Sequence, residues 1–342
     1  MNVPKISILM TVYNAGAYLE GSLASIACQS FSDWELVVVD DASTDGSLMT
    51  LHDWSRKDSR IKVISNQHNK GQTPCLNQGL RLCRGAWIAR QDADDLSHPC
   101  RLERQLQYLQ GHPSMVLVGT QGFLINEHDR RIGLLDVPCD VAGILWSGAF
   151  LNPFLHTSVI FSRDIVMGEF GGYDEKFRIA QDYDLWMRLA AKYPTANLKA
   201  RLVSYRHLGS SLSKTGSATA FEEASRISAR EAERVFTRSL NTEEQSLVAA
   251  FRRGLHAGEI ASFHALCERL EVEFVSRNPG GRSGLASIKT VWKLKIGGAV
   301  ISENRIRALW EVITAFTADP LGVLRWARDR WLIPYDPIQS KV

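Results

Sequence analysis

The sequence predicts an α/β fold with a mostly parallel central sheet, followed by an α-helical C-terminal extension. Over residues 5–89, short apolar β-prone runs alternate with segments of helical periodicity in the order βαβαβαβ. Strands buried on both faces lose the in-and-out alternation of half-buried ones, so near-continuous apolar runs point to a parallel sheet covered by helices. Two of these runs lead into acidic clusters, Asp40-Asp41 and Asp92-Ala93-Asp94-Asp95, at the carboxyl ends where open α/β sheets take their ligands. Beyond Gly216 the chain changes to charged helices.

In order, residues 5–12 form the first strand, which stops at Tyr13-Asn14-Ala15-Gly16, and Tyr18, Leu19, Leu23 and Ile26 then recur at helical spacing. Residues 34–39 are the second strand, and the Ser and Asp residues that follow favour a helix start, so a helix is expected from Ser47 to about Arg56. Residues 60–65 give a third strand, 73–82 a third helix and 85–89 a fourth strand that runs into the Asp92 cluster. A helix over 99–110 and a strand over 115–119 come next, and the segment to about residue 204 reads as irregular with one helix, 182–191. Two charged helices are expected over 220–238 and 242–274, the second opened by a Thr242/Gln245 capping box. A Pro-Gly-Gly-Arg-Ser-Gly linker at 279–284 precedes a basic tail carrying Trp292, Trp310, Trp326 and Trp331.

Composition bounds the class. With 45% apolar and 23% charged residues the chain is an ordinary globular protein rather than a disordered or fibrous one. Six cysteines (Cys28, Cys75, Cys83, Cys100, Cys139, Cys267) lie scattered with no CxxC pair, which argues for reduced, mostly buried thiols rather than a disulfide framework or zinc site. The apolar run near the start is too short for a secretory signal, and no stretch reaches the roughly 18 apolar residues of a membrane span. The expected location is the cytoplasm. The net charge of +3 comes with no nucleic-acid motif, so nucleic acid is not an expected partner.

Transfer of a group from a nucleoside diphosphate needs a pocket for the base, a grip on the ribose, a cation on the diphosphate and a base for the acceptor. An aromatic ring at a strand end can stack on a nucleobase and a carboxylate can accept its imide N–H, jobs for which Tyr13 and Asp41 are placed. Mg²⁺ or Mn²⁺ takes hard oxygen ligands, commonly one or two carboxylates plus substrate phosphates, and Asp94 in the Asp-x-Asp loop is the candidate ligand. Asp92 and Asp95 fit ribose, metal or loop geometry equally well. Any one of these signals is weak.

Their order is specific: TVYN at 11–14, VDDASTDGS at 39–47, NKGQTPCLNQGLRLCRGAWIARQDADD at 69–95, and AQDYDLW at 180–186. Over roughly residues 4–213 the sequence resembles the inverting family 2 glycosyltransferases, which have a Rossmann-like fold called GT-A. The resemblance implies a catalytic domain over 1–215 and a helical extension over 216–342. It implies that Thr11, Tyr13 and Asp41 contact the nucleobase, that Asp92 lies at the ribose or metal, and that Asp94 holds Mn²⁺ or Mg²⁺ on the diphosphate. Asn14 and Arg90 lie in the matching stretches and are grouped with the nucleotide-binding residues.

In that family an acidic residue before Asp-Leu-Trp deprotonates the acceptor, and the matching residue is Asp182. A carboxylate at a helix start among apolar neighbours suits a general base, although it also suits a plain helix cap. Where the family often has Glu-Asp, this chain has Gln181-Asp182. His207, after Arg206, resembles the family loop that closes over the diphosphate, with the imidazole as a further metal ligand and Arg206 on phosphate. His156 matches a position on the acceptor side.

The implied partners are a nucleotide-sugar donor, a UDP-sugar foremost, and a glycan or lipid-linked acceptor. The Trp-rich tail is expected to pack as core or in a homo-oligomer ahead of lying on a membrane surface. Three rivals stand beside the transferase: a nucleotide-sugar-binding module without transfer, a metal-dependent phosphoester hydrolase, and a nicotinamide dehydrogenase. The last is disfavoured because the first turn lacks Gly-x-Gly-x-x-Gly.

Overall fold

The computed structural model describes residues 3–208 and 217–277. The chain divides into two compact units, Met1–Ser239 and Leu240–Val342. The first contains β1 (Ile6–Val12), α1 (Tyr18–Ala27), β2 (Trp34–Asp40), α2 (Ser47–Lys57), β3 (Ile61–Ser65), α3 (Gln72–Leu82), β4 (Trp87–Arg90), β5 (Leu96–Ser97) and α4 (Arg101–Gly111). It continues with β6 (Leu117–Ile125), β7 (Arg131–Leu135), α5 (Val141–Gly148), a 3-10 turn at His156–Ser158, β8 (Ile160–Ser162), α6 (Arg163–Glu169), α7 (Gln181–Ala190), β9 (Thr195–Arg206) and α8 (Ser217–Phe236).

The strands form one sheet in the order β3-β2-β1-β4-β8-β6-β9-β5, with β7 on β6. β3, β2, β1 and β4 run parallel, as do β6 and β9, and these are the long ladders. Short β8 and β5 and the β7 arm pair antiparallel. In β1, Ile6, Ile8, Met10 and Val12 join the core packed by α1 and α4, while Leu9 joins the one packed by α3, α6 and α7. Both faces of the strand are therefore buried, which is why it reads as a continuous apolar run.

Apart from the two-residue β5, which was not expected, the strands and helices up to residue 111 lie where periodicity places them. The segment expected to be largely irregular holds β7, α5, β8, α6 and most of the long β9, and β6 continues to Ile125 instead of ending at 119. The physical reason is non-local: β6, interrupted by Gly119 and Gly122, and β9, interspersed with polar residues, owe their state to a parallel pairing between residues far apart in sequence, and local pattern carries little of that.

The first unit also runs past the boundary expected near residue 215. α8 buries Ile227 and Phe236, and Phe236 meets the Trp146 ring of α5 edge-on at 5.6 Å. In the second unit the expected single helix is two, α9 (Thr242–Arg253) and α10 (Ala257–Arg277), separated at Gly254, whose φ is 99°. Its capping box falls one residue earlier than expected, with Asn241 accepting from the Glu244 N–H at 2.9 Å and Glu244 from the Asn241 N–H at 3.0 Å. Phe251 of α9 stacks on Phe263 of α10 at 4.6 Å. The linker at 279–284 and the Trp-rich tail lie outside the described residues. No described helix is long and apolar enough to cross a membrane.

Close approach of α3 to β1 depends on Gly79, where a Cβ would enter contact distance with Leu9 Cδ1 and come to 3.2 Å from Val39 Cγ2. Gly79→Ala is expected to destabilise the fold by roughly 1–3 kcal/mol through overpacking. Urea denaturation measures this, and an unchanged midpoint would contradict the packing.

Candidate active site

The parallel register puts the ends of three strands on one edge of the sheet. Val12 lies beside Asp40 and Leu9 beside Arg90, so the loops after β1, β2 and β4 emerge together. Tyr13 is 55% exposed at the tip of β1, with half-buried Thr11 behind it. Asn14, in the left-handed region at φ 51°, accepts from the Thr44 N–H at 2.8 Å through its side-chain oxygen and donates its own N–H to Ser43 Oγ at 3.0 Å. Gly16 N–H reaches Asp45 Oδ2 at 2.8 Å. Asn14 was grouped with the ligand contacts, but its side-chain oxygen is occupied in joining two loops of the chain to each other.

Asp41, 3% exposed, accepts from Asn66 Nδ2 at 2.9 Å, the Lys70 N–H at 2.9 Å and the Gly71 N–H at 2.8 Å. Burial pushes its carboxyl up, but the Lys70, Asn66 and Gly71 donors outweigh burial and hold it below the ordinary carboxylate range. Gly71 adopts φ 91°, which lets the loop wrap the carboxylate. Asp41 thus shapes the 69–71 loop.

The acidic cluster after β4 stands on a buried polar layer. Arg90 is fully buried and donates to Leu9 O at 2.8 Å, to Gln91 O, to Asp92 Oδ1 at 2.5 Å and to His156 Nε2 at 3.1 Å. Grouped in sequence with the nucleotide contacts, Arg90 is buried, and its guanidinium holds Asp92. Burial, reinforced by the Arg90 charge, pushes the His156 imidazole down to about 3, so it is neutral and Nε2 is the acceptor. Arg101 donates to Gln91 Oε1 at 3.0 Å and to Arg90 O at 2.6 Å, and Gln91 Nε2 donates to Asp95 O at 2.8 Å.

Asp94 is pushed up to about 6, first by burial and then by the Asp92 charge, and Asp95 is pushed well above the carboxylate range by burial and then by the Asp94 and Asp92 charges. Asp95 accepts from the Arg206 N–H at 2.7 Å. Arg206, expected on phosphate, is 3% exposed; it donates to Asp94 O at 2.7 Å and Asn126 O at 2.9 Å and pairs with Asp129 at 2.6 Å. It fastens the acidic loop to β9. His207 is exposed, with its N–H on Ile125 O at 2.8 Å. No group of three or more His, Cys, Asp or Glu side chains is gathered for a metal among the described residues, so His207 is not brought into a ready set with Asp94. Most of the loop that follows it, residues 209–216, lies outside the described residues.

The acidic loop nonetheless fits a divalent cation. Among the described residues no other residue donates a hydrogen bond to the Asp94 carboxylate, and its raised proton affinity marks negative charge with too little compensation. One or two such oxygens plus a diphosphate form a usual Mg²⁺ or Mn²⁺ site without a preformed cage.

Asp182 lies in the first turn of α7. It keeps a solvent-facing edge, accepts from Asn152 Nδ2 at 2.8 Å, and its other oxygen accepts from the Tyr183 N–H at 2.7 Å. Burial, with the Asp92 charge adding to it, pushes its carboxyl up to about 6, against the Asn152 and Tyr183 donors. The fold thus brings Asp182 within electrostatic reach of Asp92 across about ninety residues of sequence. Gln181, where the family often has Glu, is buried and donates to Gln72 Oε1 at 3.0 Å. Sequence reasoning missed Asn152, although Asn152-Pro153-Phe154 marked a turn, and Tyr205, whose hydroxyl burial and the Asp95, Asp92 and Asp94 charges push up.

A raised carboxyl pKa means that the folded protein binds a proton which the unfolded chain has released. Stability therefore falls as pH rises from about 4 through about 6. Asp182→Asn removes this term, so the variant gains on the wild type by up to about 3 kcal/mol at pH 7.5 and gains almost nothing near pH 4. Urea denaturation at the two pH values tests this; a gain independent of pH would refute the shift.

The sequence matches the family model Glycosyl transferase family 2 over residues 7–150. It is 33% identical to the O-antigen biosynthesis glycosyltransferase WbnJ of Escherichia coli over 236 residues, covering 66% of this chain and 88% of that protein. The structure resembles that of Staphylococcus aureus TarS in complex with UDP-GlcNAc, with a TM-score of 0.56 and 18% identity over 95% of this chain and 90% of that one. It also resembles the mannosyltransferase PcManGT of Pyrobaculum calidifontis in complex with GDP-Man and Mn²⁺, with a TM-score of 0.51 and 19% identity over 96% and 87% of the two chains. Such distant structural likeness speaks for the GT-A fold, while the E. coli relative and the family model speak for descent, and on these grounds the chain belongs to the family 2 glycosyltransferases.

Proposed function

We propose that this glycosyltransferase moves a sugar from a nucleoside-diphosphate donor, a UDP-sugar foremost, to a hydroxyl acceptor with inversion at the anomeric carbon. The observation that carries the reading is Asp182, a largely buried carboxylate pushed up to about 6, hydrogen-bonded to Asn152 and within reach of the acidic loop. Its proton affinity suits a general base working near neutral pH.

In the proposed step, Asp182 takes the proton of the acceptor hydroxyl while that oxygen bonds to the anomeric carbon. The bond from that carbon to the diphosphate oxygen breaks, and its electron pair leaves with the nucleoside diphosphate. Tyr13 and Thr11 would line the base pocket beside Asp41, and Asp92, aimed by Arg90, would face the ribose. A divalent cation held by Asp94 and the diphosphate would supply charge neutralisation for the leaving group. Asp95 and Arg206 hold the loop in shape for this. The E. coli relative's role in O-antigen biosynthesis supports a glycan or lipid-linked acceptor, and the helices after residue 240 are proposed to serve acceptor, subunit or membrane-surface contacts. A binding module without transfer would bind UDP with Mn²⁺ yet release none from a UDP-sugar.

Thermal shifts with Mn²⁺ and a panel of UDP- and GDP-sugars are expected to single out the donor, and nucleotide release then measures turnover. Asp94→Asn should remove the dependence on Mn²⁺ together with most activity. Asp182→Asn should lower transfer by about 10²–10⁴-fold while UDP affinity stays within about twofold. With the base protonated below its pKa, kcat should fall as pH drops through about 6. Wild-type turnover in Asp182→Asn would remove Asp182 from the mechanism.

A further inference from the structure

We propose that Glu223, on α8, is a positioning residue for Asp182, so that α8 belongs to the active site although it lies beyond the region the family model matches. The inference rests on the reading of Asp182 as the base. Glu223 is 5% exposed, and its carboxylate accepts three consecutive backbone N–H groups: Arg178 at 2.8 Å on one oxygen, and Ile179 and Ala180, each at 2.9 Å, on the other. Ala180 is the N-cap of α7 and Asp182 follows two residues later. No side chain of α7's own N-cap closes that helix end. An anion from another helix supplies the acceptor at the positive end of the α7 dipole.

The same helix also holds the segment that leads to the other partner of the base. Ser228 Oγ donates to Ala149 O at 2.6 Å, three residues before Asn152, whose amide is the 2.8 Å donor to Asp182. Farther along, Arg230 pairs at 2.6 Å with Asp184, which Arg188 holds at 2.7 Å on its second oxygen. α8 therefore grips the loop leading into Asp182, the first turn of α7 behind it, and the segment leading to Asn152. The distance between the Asn152 amide and the Asp182 carboxylate is set by two attachments to one rigid helix. A shift of about 1 Å at such a contact is enough to cost roughly 10²-fold in rate.

A purely structural Glu223 would lower the folded fraction and leave turnover per folded molecule unchanged. A positioning Glu223 lowers kcat and leaves the donor KM alone, because the nucleotide loops after β1, β2 and β4 are held by other contacts. The full-length protein and its Glu223→Ala, Glu223→Gln and Asp182→Asn variants are compared by nucleotide release from UDP-glucose, UDP-galactose, UDP-N-acetylglucosamine and GDP-mannose with Mn²⁺. Rates are normalised to the sites counted by UDP calorimetry. Expected for Glu223→Ala is a kcat lower by roughly tenfold or more with KM within about twofold, and faster amide exchange at residues 178–180. Glu223→Gln keeps one acceptor oxygen and should fall between; where the alanine variant does not fold, this one decides by the same readouts. Wild-type kcat in folded Glu223→Gln or Glu223→Ala, beside an inactive Asp182→Asn, overturns the role of Glu223 alone. An active Asp182→Asn, or a wild type that releases nothing from any donor, overturns the underlying reading and this inference with it.

Discussion

The buried guanidinium of Arg90 is the contact on which the arrangement of the site depends. It leaves the end of a central parallel strand and ties the neighbouring strand, the acidic loop and the 3-10 turn through Leu9 O, Asp92 and His156. Burying a charge is costly unless every donor finds an acceptor, and removing one partner of such a pair typically costs 3–5 kcal/mol because the other charge is left stranded. The sequence meets this demand with main-chain carbonyls, a carboxylate and an imidazole held neutral by the same burial. The outcome is an Asp92 whose direction is decided by the protein interior rather than by solvent.

Above this layer the charge balance reverses. Asp94 and Asp95 are held close to Asp92 in surroundings that raise their proton affinity, so the loop carries more negative charge than its own donors neutralise. Asp41, by contrast, is saturated by Asn66, Lys70 and Gly71 and pulled below the usual range. The two acidic clusters that look alike in sequence are therefore physically opposite. One is a finished hydrogen-bonded corner that shapes a loop; the other is an electrostatic site short of donors, where the proposed cation and diphosphate would bind.

The strand ends that carry the proposed nucleotide side could be read from the sequence because they are local. Tyr13 and Asp41 follow directly from apolar strands and Asp94 lies in the loop just after one, and a parallel sheet gathers such ends on one edge whatever the details of its packing. Asn14 and Arg90 stood in the same stretches, yet position along the chain does not say whether a side chain turns outward or down into the interior. The acceptor side was less legible. β6 and β9 owe their strand state to pairing with each other, and α8 reads from its periodicity as a generic charged helix, with nothing to mark Glu223 as the acceptor for residues 178–180.

The sequence by itself determined the βαβ order, the two acidic strand ends and the family to which they belong, because strand burial and short motifs are written in contiguous residues. Only the tertiary structure decided which carboxylates remain short of donors, which arginines are buried, and where the first unit ends. It also decided how Asp182 comes near Asp92 with Asn152 beside it. These depend on groups far apart in sequence whose desolvation and hydrogen bonds exist only once the helices have closed on the sheet.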